Sequence, residues 1–145
     1  MKTKLLLKGN NDENVLSLSF EDILNCINRP NLYHWKILWF EGVWKLNDSI
    51  IDFENKIKKS ETGIEYKFIE LIELSRNLEQ LLEIILIGDT NKDNLKRFTN
   101  DNDMYEKCQF VIELIDTSYW EFTSDDTITI GKVSEMMKTK GSISH

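Results

Sequence analysis

Proline, cysteine and histidine are scarce in this chain. There is one proline, Pro30, and there are two cysteines, Cys26 and Cys108, and two histidines, His34 and His145, in 145 residues. Each scarcity removes a class of chemistry. A structural zinc site takes about four Cys or His ligands at close spacings, and the two cysteines stand far apart with no histidine cluster beside them. They are expected as small buried hydrophobes in a reducing compartment. A serine nucleophile needs a base aimed at it, and the one internal histidine, His34, carries no cue that would bring it to Ser118. No apolar run approaches the roughly 20 residues of a membrane span. The Leu5–Leu7 run between lysines is also shorter than the roughly 7–15 residues of a secretory h-region. These absences together lead to an expectation of a cytoplasmic protein with no membrane partner.

Basic charge is short as well: 18 Lys and Arg face 25 Asp and Glu, for a net charge of −7. Nucleic-acid binding leaves a basic footprint, and the densest basic run, Lys56 with Lys58 and Lys59, has no aromatic residue interleaved. DNA and RNA are therefore set aside as direct ligands. The sequence also lacks G-x-G-x-x-G, the Walker-type glycine loop, H-E-x-x-H and G-x-S-x-G, so no cofactor is expected. Asp89, Asp93, Asp101 and Asp103 fall in one polar stretch, yet without the ligand spacing or the turning glycine of a calcium loop. No metal is expected either.

What is present suits one soluble domain. Hydrophobic residues make up 41% and charged residues 30%, values typical of globular proteins. A single domain over 1–140 with a flexible tail at 141–145 is expected. Periodicity suggests a strand at 2–8, then a helix opened by Ser19 with Asp22 three residues on and stopped at Arg29-Pro30. In YHWKILWFEGVWKL, Tyr33, Trp35, Ile37 and Trp39 alternate with His34, Lys36, Leu38 and Phe40, and Glu41-Gly42 reads as the turn of a hairpin. Asp48 or Ser49 is expected to cap a helix reaching Lys59, with Ile50, Phe53 and Ile57 on its apolar stripe. A helix over about 65–79, a buried strand to Ile87, a polar loop from Thr90 with one short helical turn, and a closing helix to Lys138 complete the reading. Residues 126–130 remain open as strand or helix, because Thr127, Ile128 and Thr129 are β-branched. The expected fold class is α+β, a mostly antiparallel sheet of about five or six strands packed by three or four helices.

The run FVIELIDTSYWEF, residues 110–122, reads as one long central strand. The even positions Phe110, Ile112, Leu114, Trp120 and Phe122 are apolar, and Asp116 and Ser118 interrupt them. Thirteen residues exceed the usual strand length of about five or six, so Asp116-Thr117-Ser118 is expected as a bend satisfied by its own backbone. A catalytic carboxylate pair of Asp116 with Glu113 or Glu121 fails on geometry, because odd spacings put both partners on the opposite face of a regular strand.

The passages ILNCINRPNLYHWKI and CQFVIELIDTSYWEFTSDD, between an N-terminal strand and a closing helix, resemble a group of small uncharacterised bacterial α+β proteins. In size, acidity and α+β pattern the chain is similar to the immunity proteins that neutralise secreted bacterial toxins. That likeness implies a protein partner and supplies no functional residues. The negative charge, the aromatic excess and the missing catalytic motifs point to a protein-binding module without catalytic activity, whose partner is a basic protein. Its expected contact residues are Trp44, Tyr119, Glu121 and Glu113. The alternatives are a small hydrolase using Asp116, or a homo-oligomeric structural protein using a strand edge or the Trp35–Trp44 segment.

Overall fold

Alternating apolar residues, each answered by a partner strand, build one wholly antiparallel sheet. A computed structural model describes residues 2–8, 18–45, 50–140 and 142–144. Among these, the strands are β1 (Thr3–Lys8), β2 (His34–Trp44), β3 (Ile64–Tyr66), β4 (Leu78–Asp89), β5 (Phe110–Ile115), β6 (Tyr119–Ser124) and β7 (Ser142–Ser144). Their order across the sheet is β3-β2-β4-β5-β6-β1-β7, with every pairing antiparallel. Five α-helices are described: α1 (Phe20–Leu24), α2 (Ile51–Lys59), α3 (Phe68–Arg76), α4 (Asp101–Lys107) and α5 (Thr127–Lys140). The α+β class follows, with two three-residue strands at the sheet edges adding to the expected number. None of the helices is long and apolar enough to cross a membrane.

One face of the sheet is the main core. Phe20, Ile23 and Leu24 from α1, Ile57 from α2, Leu71, Ile72 and Leu74 from α3, and Val133 and Met137 from α5 pack on it. They meet Leu5, Leu7, Trp35, Ile37, Phe40, Ile84, Leu86, Phe110, Ile112, Leu114, Trp120 and Phe122. The helix starts follow the chemistry read from sequence where it can be checked. Ser19 accepts from the Asp22 N–H while the Asp22 carboxylate accepts from Ser19, a complete capping box. The Asp48 or Ser49 cap lies outside the described residues. Residues 127–130 resolve as the start of α5, and Gly131 is not required there, since a Cβ would meet nothing within 4 Å. In the main core Trp35 lies against Gly88, its cross-strand partner. A Cβ on Gly88 would fall 2.3 Å from Trp35 Cζ3, so only glycine admits the indole, whose Nε1 donates to Pro30 O at 3.1 Å.

Two expectations are corrected. Residues 34–44 form a single strand, with no turn at Glu41-Gly42. A register shift between Ile37 and Trp39 inserts Leu38 as an extra residue against β4, and such a bulge swaps the faces of everything beyond it. Trp35, Ile37 and Phe40 therefore share the core, whereas Leu38, Trp39 and Glu41 face the other way. Glu41-Gly42 cannot turn because Gly42 is itself enclosed in the β2–β4 pair, where a Cβ would stand 2.9 Å from Gln80 O. The run 110–122 is likewise two strands, β5 and β6, joined by a hairpin at Asp116-Thr117-Ser118 rather than one bent strand. Both Asp116 (φ 49°) and Thr117 (φ 57°) are left-handed, the pattern of the mirror-image turns that suit the twist of paired strands. The Ser118 N–H closes the turn onto Ile115 O at 2.8 Å, and the Thr117 N–H reaches Leu82 O on β4 at 3.0 Å.

The segment between β4 and β5 covers part of the second sheet face. It holds the unexpected helix α4, started by Asn100, whose side chain accepts from the Asp103 N–H. A small second core forms there from Leu38, Ile87, Leu95, Met104, Cys108 and Val111. Asp89, 3% exposed, closes both ends of this segment by accepting from the Asn91 and Gln109 N–H groups at 2.8 and 3.0 Å. Arg97 pins its middle. Its guanidinium donates to Leu38 O at the bulge (2.8 Å), to Ile57 O (2.8 Å) and to Ser60 O (2.9 Å), the last two at the electronegative end of α2.

Two stability measurements check these statements. Arg97→Met removes four charge-assisted hydrogen bonds, the fourth a longer one to Ser60 Oγ, and is expected to cost about 2–4 kcal/mol in denaturant unfolding; a loss under about 0.5 kcal/mol would mean that water replaces the clamp. Thr117→Gly relieves a β-branched residue of a left-handed backbone. Net of glycine's extra chain entropy, it is expected to stabilise the hairpin by about 0.5–1 kcal/mol, and a loss of stability would show that the turn carries no strain.

Candidate functional site

Strand alternation collects the unusual chemistry on the second face, partly beneath α4 and partly beyond it. Register runs Trp39–Ile85–Glu113–Glu121–Leu6 across β2, β4, β5, β6 and β1, and the next row runs Glu41–Glu83 across β2 and β4, with Ile115 and Tyr119 paired across β5 and β6 beside them. Trp39, Ile85, Ile115, Tyr119 and Leu6 are half-buried, neither enclosed in a core nor free in water. Between them stand two pairs of acidic residues directly opposite one another, Glu41 with Glu83 and Glu113 with Glu121. Like charges directly opposite across a sheet are unfavourable.

The first pair is extended by the hairpin. The neighbouring Asp116 side chain, then burial, then the charge of Glu41 raise the Glu83 carboxyl above its ordinary range. Trp39 Nε1 is buried, completes no hydrogen bond, and lies near enough to Glu83 to oppose that rise slightly. Lys58, reaching round the sheet edge from α2, sits 3.2 Å from Glu41 Oε1 and 4.4 Å above the Trp39 ring. The turn at Asp116 is tied to β4, next to Glu83, by the Thr117 N–H bond to Leu82 O.

The second pair is more enclosed. Glu113 is 8% exposed and accepts from the Tyr105 hydroxyl of α4 at 2.7 Å. Glu121 pairs with Lys4 at 3.2 Å, and Lys4 also lies 4.0 Å over the Tyr105 ring. Burial raises the Glu113 carboxyl, with Glu121 and Asp101 adding and the Tyr105 hydrogen bond and Lys4 opposing. Burial and the Glu113 contact raise the Tyr105 phenol strongly, so it stays a donor.

Of the residues expected to contact a partner, Glu113, Glu121 and Tyr119 do share this face, and Trp44 does not. Trp44 turns inward, half-buried on the main core against Phe40 and Phe53, because it stands four residues after Phe40, on the face that the bulge at Leu38 turned toward the helices. The face also holds Trp39, Glu41, Glu83, Tyr105 and Lys4, which sequence reasoning missed. The catalytic alternatives change as well. His34 lies at the end of β2 paired with Asp89, bonded to Glu65 at 3.2 Å, whereas Ser118 lies at the opposite end of the sheet. The carboxyl partner of Asp116 is Glu83, not Glu113 or Glu121. Asp116 itself is exposed in the turn. Cys26 and Cys108 are free and buried, and burial pushes the Cys108 thiol up to about 12, so it is no nucleophile. Among the described residues no group of three His, Cys, Asp or Glu is placed to hold a metal ion.

Compared with family models, with curated proteins and with solved structures, the chain matches none of them.

The raised Glu113 carboxyl makes a signed prediction. The folded state holds a proton that the unfolded chain releases, so stability falls as pH rises from the unfolded value of about 4.3 through the folded one, and the penalty is complete above it. Glu113→Gln keeps an acceptor for Tyr105 without the buried charge. Its thermal midpoint is expected to exceed the wild type's by a few degrees at pH 7.5 and to show no such gain at pH 4; a midpoint at or below wild type at pH 7.5 would remove the burial penalty.

Proposed function

We propose that this protein is a protein-binding module whose partner is basic. In its most specific form it is an acidic immunity protein of the bacterial cytoplasm that neutralises a basic toxin by covering its surface. The observation that carries this reading is the pairing of Glu41 with Glu83 and of Glu113 with Glu121 on the half-apolar sheet face, the first pair partly exposed and Glu113 buried beneath Tyr105. Opposed carboxyl groups work against strand pairing, and Lys58, Tyr105 and Lys4 offset this only in part. Departures from local consistency of this kind cluster where a sequence answers to function. Half-buried aromatics beside carboxylates also match the make-up of a binding surface, with Trp39 and Tyr119 as anchors and a charged rim that selects the partner.

An electrostatic interface of this kind forms fastest at low salt and loses on-rate as salt screens it. Affinity capture from the native host, with mass spectrometry of the retained proteins and inspection of the neighbouring gene, is expected to recover one basic protein. Association of the purified pair is expected to slow by at least tenfold between 50 and 500 mM salt. Recovery of no basic protein, beside a neighbour unrelated to toxins, would sink this reading.

A further inference from the structure

The segment that covers the second face is anchored at its ends and middle. Asp89 holds the N–H groups of Asn91 and Gln109, Arg97 holds Leu38 O, and the Cys108 carbonyl accepts from Lys2. Between Arg97 and Cys108, α4 meets the sheet through Met104, in the second core, and through the Tyr105 hydroxyl, 2.7 Å from Glu113. What lies beneath is costly to enclose. Glu113, 8% exposed, stands opposite Glu121 on β6, and the ammonium group that reaches this pair, Lys4 from β1, is 3.2 Å from Glu121. Asp101 adds negative charge from α4 itself, and the β4 neighbour of Glu113, Ile85, is uncharged. With both carboxyl groups ionised, negative charge is in excess under the helix. In the adjoining row Thr123, 3% exposed and set between Val111 and Lys4, has a buried hydroxyl without a hydrogen-bond partner. Buried polar groups are rarely left so, and water would relieve both costs.

We propose that α4 is a proton-controlled cover, latched by Tyr105 on Glu113, which lifts from an intact sheet when Glu113 is ionised and stays down when Glu113 carries a proton. Local opening of this kind belongs to elements with few enclosed apolar side chains, and Met104 is the buried residue of α4. The direction follows from the enclosure. Burial first, then Glu121 and Asp101, hold the closed-state Glu113 carboxyl above its ordinary range, with Tyr105 and Lys4 opposing. Once α4 lifts, water reaches the carboxyl and returns it to the ordinary value of about 4.3. Opening therefore releases a proton, so the opening constant rises with pH from about 4.3 through the closed-state value and is level above it. The second face then has two extents: a covered one in acid, and a larger one toward neutral pH in which Glu113 and Thr123 meet solvent. The inference concerns the free protein and does not depend on the nature of a partner.

Hydrogen exchange in the ¹⁵N-labelled full chain, with each rate divided by that of an unstructured amide at the same pH, separates opening of α4 from unfolding of the sheet. The amides of residues 105–108, which close the helix, are expected to exchange faster than those of Leu86 and Ile112, which are paired on both sides within the sheet. Their opening constant is expected to rise at least about threefold from pH 4 to pH 7.5. Glu113→Gln is expected to hold it at the low-pH value throughout. Tyr105→Phe removes the latch and keeps the carboxyl, and is expected to raise opening about fivefold at pH 7.5 with the pH dependence retained. Thr123→Val removes the unpartnered hydroxyl and no charge, and is expected to lower opening at least about threefold by the same factor at both pH values. Exchange of residues 105–108 at the rate of Leu86 and Ile112, an opening constant that does not change with pH, or a change that persists in Glu113→Gln would overturn the proposal. So would unchanged opening in both Tyr105→Phe and Thr123→Val. The pH response of the wild-type chain needs no substitution, so it decides the matter even where a variant fails to fold.

Discussion

The extra residue at Leu38 is the constraint on which both faces of the sheet depend. Lys36 and Glu41 are five positions apart, an odd separation, so a regular strand would turn one of them into the core. An unpaired charge enclosed in a main core is among the costliest groups a fold can contain. The shift between Ile37 and Trp39 removes the conflict: Trp35, Ile37 and Phe40 all reach the helices, and Lys36 and Glu41 both reach the other side. Bulges leave backbone groups without ladder partners, and here the Leu38 carbonyl is taken by Arg97. Because the same guanidinium ends α2 through Ile57 O and Ser60 O, the bulge, the helix that carries Lys58 and the segment that covers the second core are fixed by one side chain.

That dependence explains what could be read in advance. The class of fold, the Ser19–Asp22 start of α1, the β1 strand and the closing helix follow from periodicity and caps, which are local. The face of Trp39 does not, because alternation by itself assigns it to the core with Trp35. The signal was present in a different form, in two charges at odd separation flanking four consecutive apolar residues, Ile37-Leu38-Trp39-Phe40. The hairpin at Asp116 was hidden for another reason. Mirror-image turns favour Asn-Gly or Asp-Gly, and Thr117 is the kind of residue that ordinarily argues against a left-handed backbone. Helix α4 was masked by its polarity, although Asn100 three residues before Asp103 is a cap pattern.

The candidate site was legible in part. Glu113, Glu121 and Tyr119 sit at odd positions of a run whose even positions are apolar, and the register places them together on the second face. Their partners come from strands and helices far away in sequence: Lys4 from β1, Tyr105 from α4, and Glu83 from a run that otherwise reads as pure core. Such meetings are set by sheet order, which no local pattern carries. Trp44 went to the opposite face for the same reason that Trp39 left the core, since the extra residue at Leu38 exchanges the faces of every position of β2 beyond it.

The two faces consequently divide the work of the molecule. The helix-covered face holds nearly all the large enclosed side chains, including Trp35, Phe40, Phe110, Trp120 and Phe122; its polar groups there are few, the Trp35 indole bonded to Pro30 O and the Trp120 indole N–H left without an acceptor. The other face holds the opposed carboxyl groups, the left-handed turn and a Trp39 N–H without an acceptor. A fold selected for stability alone would spread these costs or remove them, for a single Glu-to-Lys exchange in either opposed pair would turn repulsion into attraction. They are gathered instead within two rows of one sheet, where Tyr105, Lys4 and Lys58 offset them only in part. A cationic partner of the kind proposed would meet the more accessible Glu41–Glu83 pair, while Glu113 is enclosed beneath Tyr105.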